Sequence, residues 1–109
     1  MIDLIEQRLD AVRALCRTYG VRRLDLFGSA VTGAFDAATS DLDFVATFAD
    51  TQSPGYADRY LGFAEAMEAL LGRPVDVVTE RSIRNPYFRQ AVEASRQPVY
   101  DERNAPAPA

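Results

Sequence analysis

The chain has 109 residues, 48% of them apolar, and a formal net charge of −4. That length fits one compact domain with its own core, and the negative balance speaks against broad nucleic-acid binding, so no direct nucleic-acid contact is expected. Histidine and lysine are both absent, which excludes His-based triads, His metal sites, a Walker A lysine and Schiff-base chemistry.

The first helix is predicted from about Asp3 to Tyr19, with Ile5, Leu9, Val12, Cys16 and Tyr19 on one face. Cys16 is the only cysteine, so no internal disulfide or Cys-based zinc site can form, and its place on the apolar stripe reads as core packing. Gly20 is placed to end the helix. Arg22 to Phe27 follows as a short strand with Leu24 and Leu26 on one face. Gly28 to Ser40 is a loop, with room for one helical turn at Ala30–Gly33.

The second strand is expected from Asp41 to Phe48. Leu42, Phe44, Ala46 and Phe48 share one face, and Asp41, Asp43, Val45 and Thr47 the other. A polar turn leads to a helix from Tyr56 to Leu71, with Tyr60, Phe63, Ala64, Met67 and Leu71 as its stripe, ended by Gly72 and Pro74. Pro74 to Glu80 is a third strand, apolar at its centre except for Asp76. A last helix, Pro86 to Gln97, should bury Phe88, Val92 and Ser95, and Val99-Tyr100 can add an edge segment. Residues 1–101 then form one domain. The tail from 102 to 109, ending in NAPAPA, is expected to be disordered. The element order implies a small α/β (α+β) fold, a sheet covered by helices. Arg22-Arg23 and the Arg81/Arg84/Arg89 series read either as local basic patches or as solvated faces. No run approaches the roughly 18 apolar residues of a membrane span, no membrane association is expected, and the default compartment is cytoplasmic.

The carboxylates carry the chemistry that remains. Asp41 and Asp43 should project side by side, and two carboxylates that close repel unless a cation or proton intervenes. Taken alone, "DLD" reads more simply as a turn cap followed by an exposed aspartate. Asp76 changes the balance, because a lone carboxylate in a valine-rich strand is costly to bury. If its strand neighbours the Asp41–Asp43 strand, three carboxylates converge, and such a set can hold magnesium. Otherwise Asp76 is an edge position facing water. Gly28-Ser29 adds a turn at which a backbone can approach phosphate closely. A lone Gly-Ser is often only a turn. Tyr56, Tyr60 and Tyr87 could touch a base or a partner, or simply pack at the rim.

The stretches "LFGSAVTG", "SDLDFVA" and "PVDVVTE", with "RNPYFRQAVEASRQPVYD", resemble the minimal nucleotidyltransferase family within the polymerase-beta-like superfamily, over about residues 3 to 101. The resemblance implies a short mixed sheet flanked by helices. It also implies a phosphate-binding pair at Gly28 and Ser29, a metal-binding pair at Asp41 and Asp43, and a third metal-binding, catalytic carboxylate at Asp76. The implied reaction is magnesium-dependent transfer of AMP from ATP to a hydroxyl. Short members resemble antitoxins whose partner, encoded by a neighbouring gene, is a HEPN-type ribonuclease toxin modified on tyrosine. Two other functions fit the same residues: neutralisation by occlusion with a vestigial nucleotide site, and transfer to a small molecule of the aminoglycoside type. The chain departs from the family in two places. Ala30, Val31 and Thr32 stand where many members carry arginine, and the loop from Ala30 to Ser40 is one residue longer than the commonest spacing.

Overall fold

A computed structural model of the chain describes residues 2–33, 36 and 41–104. The elements are α1 (Asp3–Glu6), α2 (Leu9–Tyr19), β1 (Val21–Phe27), α3 (Ser29–Thr32), β2 (Leu42–Phe48), α4 (Tyr56–Leu71), β3 (Val75–Thr79), a 3-10 turn (Glu80–Ser82), α5 (Pro86–Ser95) and β4 (Gln97–Asp101). The strands form one mixed sheet in the order β3-β2-β1-β4. β1 runs antiparallel to both β2 and β4, whereas β2 and β3 are parallel. A parallel pair needs a crossover, and α4 supplies it.

Period-2 alternation sorts the strands into two unequal faces. Leu24, Leu26, Leu42, Phe44, Ala46, Phe48 and Val77 form one core with Val12 and Cys16 of α2 and Phe63, Met67 and Leu71 of α4. The opposite face holds a much smaller cluster, Phe27, Val45 and Val92, with Val78 and Ile83 packed against it. The first face closes the domain, and the second leaves room for polar groups.

Several features differ from the sequence pattern. The first helix is two, because Arg8 leaves helical geometry (φ −113°, ψ 10°) and a tightened turn separates α1 from α2. Ile5 nonetheless joins the same core as Val12 and Cys16, so the apolar spacing runs on across a break in the backbone. The edge segment is a full strand of five residues. Phe88, expected inside, is 39% exposed and only its ring meets Phe27 edge-on, at 5.9 Å between centroids. The small second face cannot enclose it.

Burial pushes the Cys16 thiol up to about 12, which keeps it protonated and unreactive. Several arginines of the suspected basic patches are committed to pairs. Arg22 meets Glu102 at 2.6 Å, Arg23 meets Asp25 at 3.1 Å, and Arg89 meets Glu80 and Glu93. Beyond β4, the Glu102 N–H donates to the Arg22 carbonyl (2.9 Å). The end of the tail, residues 105–109, and residues 34, 35 and 37–40 of the loop lie outside the described residues. Among the described residues no helix is long and apolar enough to cross a membrane.

Candidate active site

The site candidates gather where β1 ends and β2 and β3 begin. Asp43 and Asp76 are register partners across the parallel pair, and Phe27, the residue before Gly28, is the partner of Asp43 on the other side. Register partners project from the same face, so Asp43 and Asp76 stand on neighbouring strands roughly 4.8 Å apart at the backbone. Their face is the thinly covered one. Asp43 is half-buried and Asp76 is exposed.

Gly28 follows β1 in a conformation (φ 75°, ψ −146°) that side chains strongly disfavour. A Cβ there would lie 2.9 Å from Asp43 Oδ2. Backbone strain and close approach thus demand glycine independently. Its carbonyl accepts from the N–H groups of Val31 (3.0 Å) and Thr32 (3.1 Å), which folds Ser29–Thr32 into one helical turn. Ser29 is half-buried on that turn, and Ala30 is buried in the main core.

Asp41 sits one residue before β2 and is exposed. The strand begins later than the sequence pattern suggested, so Asp41 flanks the site from the loop side. Among the described residues no three acidic side chains already enclose a common point. They do act on one another. Burial pushes the Asp43 carboxyl above its ordinary value, and the charges of Asp76 and then Asp41 push it further. Ionised Asp43 is therefore held at an electrostatic cost.

Beside Asp76, on the outer edge of the sheet, lies an open depression of about 560 Å³ lined by Tyr56, Tyr60, Leu61, Val77 and Ser82. The Tyr60 hydroxyl donates to the Val77 carbonyl, and burial followed by the Asp76 charge raises its pKa. Tyr56 packs edge-on against Phe48, 5.6 Å between centroids. Tyr87 lies elsewhere, on α5, and is 81% exposed. Arg81 donates to the Thr51 hydroxyl (2.8 Å), and Arg84 is exposed.

Known proteins share the sequence pattern and the fold. The nucleotidyltransferase domain family matches residues 10–99. The chain belongs to that family. A Methanocaldococcus jannaschii relative, provisionally named a protein adenylyltransferase, is 36% identical over 75 residues, 69% of this chain and 73% of its own. A solved structure provisionally described as a minimal nucleotidyltransferase superposes with a TM-score of 0.71 at 32% identity, over 89% of this chain and 96% of the other. The complex of a tri-AMPylated Shewanella oneidensis HEPN toxin with an MNT antitoxin shares the fold, with a TM-score of 0.61 at 20% identity over 88% and 71% of the two chains. The mixed sheet flanked by helices is thus that of a minimal nucleotidyltransferase, and the protein is a nucleotidyltransferase.

Two groups near the site were not singled out from the sequence. Asp25, two residues before Phe27, is completely buried and bonded to Arg96 Nε at 2.9 Å. Ser95, expected only as a buried residue, is half-buried and accepts a hydrogen bond from the Gly28 N–H at 3.0 Å. The signal for Asp25 was present: it is a carboxylate between two leucines of a strand. Nothing local marks Ser95, because its partner is 67 residues away.

Proposed function

We propose that this nucleotidyltransferase moves AMP from ATP to a tyrosine hydroxyl of a partner protein, a HEPN-type toxin, and so acts as its antitoxin. The observation that carries this reading is the Asp43–Asp76 register pair, with Asp43 held above its ordinary pKa directly against Gly28. Two neighbouring carboxylates beside a turn that admits no side chain suit a divalent cation and a polyphosphate. Asp43 and Asp76, with Asp41 from the loop side, would hold magnesium. When bound, magnesium would neutralise phosphate charge and stabilise the leaving group.

In the reaction the acceptor oxygen attacks the α-phosphorus of ATP and forms the new phosphoester bond. The bond from that phosphorus to the bridging oxygen breaks, and pyrophosphate leaves with its electron pair. The acceptor proton passes to Asp76, the outermost carboxylate and the one bordering the open depression. Gly28 and Ser29 would keep the triphosphate on the β1 side of Asp43, opposite the acceptor. The Methanocaldococcus relative's name and the AMPylated toxin bound to an MNT antitoxin support the choice of AMP and of a protein acceptor.

Incubation with ATP, magnesium and the product of the neighbouring gene tests the reading by intact mass. The partner should gain AMP, and Asp43→Asn should prevent it; an unchanged partner mass with the unmutated enzyme overturns the claim. Ala30, Val31 and Thr32 favour a second reading, neutralisation by occlusion alone, because no arginine follows Gly28-Ser29 directly. In that case Asp43→Asn would still neutralise the toxin.

A further inference from the structure

The turn at Gly28 is held from behind by the end of α5. The Gly28 N–H donates to Ser95 Oγ at 3.0 Å, and the Ser95 hydroxyl donates to the Ala91 carbonyl at 3.1 Å. The serine proton is therefore committed to its own helix, and the oxygen is left as an acceptor. The Gly28 carbonyl is occupied by Val31 and Thr32. Both polar groups of Gly28 are thus satisfied inside the protein, so Gly28 serves the site through its shape and not as an N–H donor.

The residue after Ser95 fixes where that hydroxyl stands. Arg96 bonds Asp25 on β1 at 2.9 Å and Glu80 after β3 at 2.7 Å. Those contacts pin the end of α5 against the sheet, so Ser95 meets Gly28 at a set distance. We propose that Ser95 is a positioning residue for nucleotide binding: it holds the Phe27–Gly28 peptide so that Ser29 faces the triphosphate. This inference rests on the nucleotide-binding reading of Gly28-Ser29 given above. Without the acceptor, glycine is free to sample its other backbone basins. Nucleotide binding must then order the turn, and apparent affinity falls by the fraction of molecules already competent.

Calorimetric titration of the full chain with a non-hydrolysable ATP analogue and magnesium tests this. Ser95→Ala should weaken binding about tenfold, the loss of one modest hydrogen bond. Amide exchange at Gly28, followed by NMR, should accelerate in the same variant. Ser95→Thr keeps the hydroxyl and should restore both readings to within about threefold. If Ser95→Ala binds the analogue as tightly as the unmutated chain, the inference is overturned and the proposed function stands. If Ser95→Thr is as weak as Ser95→Ala, the hydroxyl is not the cause and the inference also fails. An unmutated chain that binds no nucleotide overturns the proposed function, and this inference with it.

Discussion

Two groups of acids lie on the same face of the sheet and are treated in opposite ways. Asp25 is wholly buried, yet Arg96 and Arg23 reach it, and Arg96 extends to Glu80 (2.7 Å) and Glu93 (2.6 Å). There the hydrogen bonds from Arg96 and Arg89 hold the Glu80 carboxyl down at about 2. Asp25 is level with Val45 on β2. Next on that face of β2 comes Asp43, whose carboxyl is pushed up by burial first and then by the charges of Asp76 and Asp41. The first cluster is internally neutralised and ties α5 to the sheet. In the second, the charges acting on Asp43 are those of other carboxylates, an arrangement suited to a cation. Neighbouring charge thus separates the two clusters: arginines surround Asp25, whereas the charges acting on Asp43 add to the effect of its burial.

The largest expected effect comes from removing charge at the uncompensated cluster. Asp43→Asn should lower AMP transfer at least about a thousandfold, given the several kcal/mol a metal site supplies to such a reaction. Circular dichroism should show the fold intact. If the rate drops no more than it does for an exposed control such as Asp58→Asn, the contrast between the clusters is wrong.

Next is the compensated cluster. Arg96→Ala leaves the buried Asp25 with Arg23 alone and should cost about 2 kcal/mol in denaturant unfolding. A cost below about 1 kcal/mol would mean that Arg23 or water compensates Asp25 and the Arg96 pair is not structural.

Acid should act on the same cluster more gently. The Glu80 carboxyl lies lower in the folded chain, about 2, than its ordinary 4.5. Its contribution is therefore complete above pH 4.5 and is lost as the pH falls towards 2. After discounting for solvent screening of this part-exposed pair, about 1 kcal/mol should vanish across that window. Thermal melts of the unmutated chain and Glu80→Gln should converge at the acid end; parallel curves would mean that Glu80 is not the group that titrates.

The smallest effect has the opposite sign. Because the Asp43 carboxyl is raised, its ionised form weakens the folded state at neutral pH, and the penalty disappears below its unfolded pKa. In chelator-treated protein, Asp43→Asn should raise stability by roughly a few tenths of a kcal/mol at about pH 7, screened by the water around a half-buried group. Added magnesium should stabilise the unmutated chain and leave the variant unchanged.

Much of this was legible in the residues. Apolar alternation in "LDFVATF" and the apolar run "VDVVT" located two strands; the spacing of Asp41 and Asp43 marked that pair, and the break in the valine run marked Asp76. Gly28-Ser29 after an apolar run marked the turn. The break of the first helix at Arg8 left no such mark, since the apolar spacing continues across it. Nor was the exposure of Phe88 visible, because it depends on how little of the second face α5 covers.

Element types, the apolar face of each strand and the available residue chemistry follow from local spacing and composition, and the chain alone was enough to assign them. Strand order is a different matter, settled only once the sheet has assembled. The parallel β2–β3 pairing puts Asp76 level with Asp43, and the antiparallel β1–β2 pairing brings Gly28 against the same carboxylate. Register is a long-range property: it is fixed when both faces of the sheet find their partners at once. Ser95 and Arg96 belong with it, since their roles exist only after α5 has packed across the end of β1.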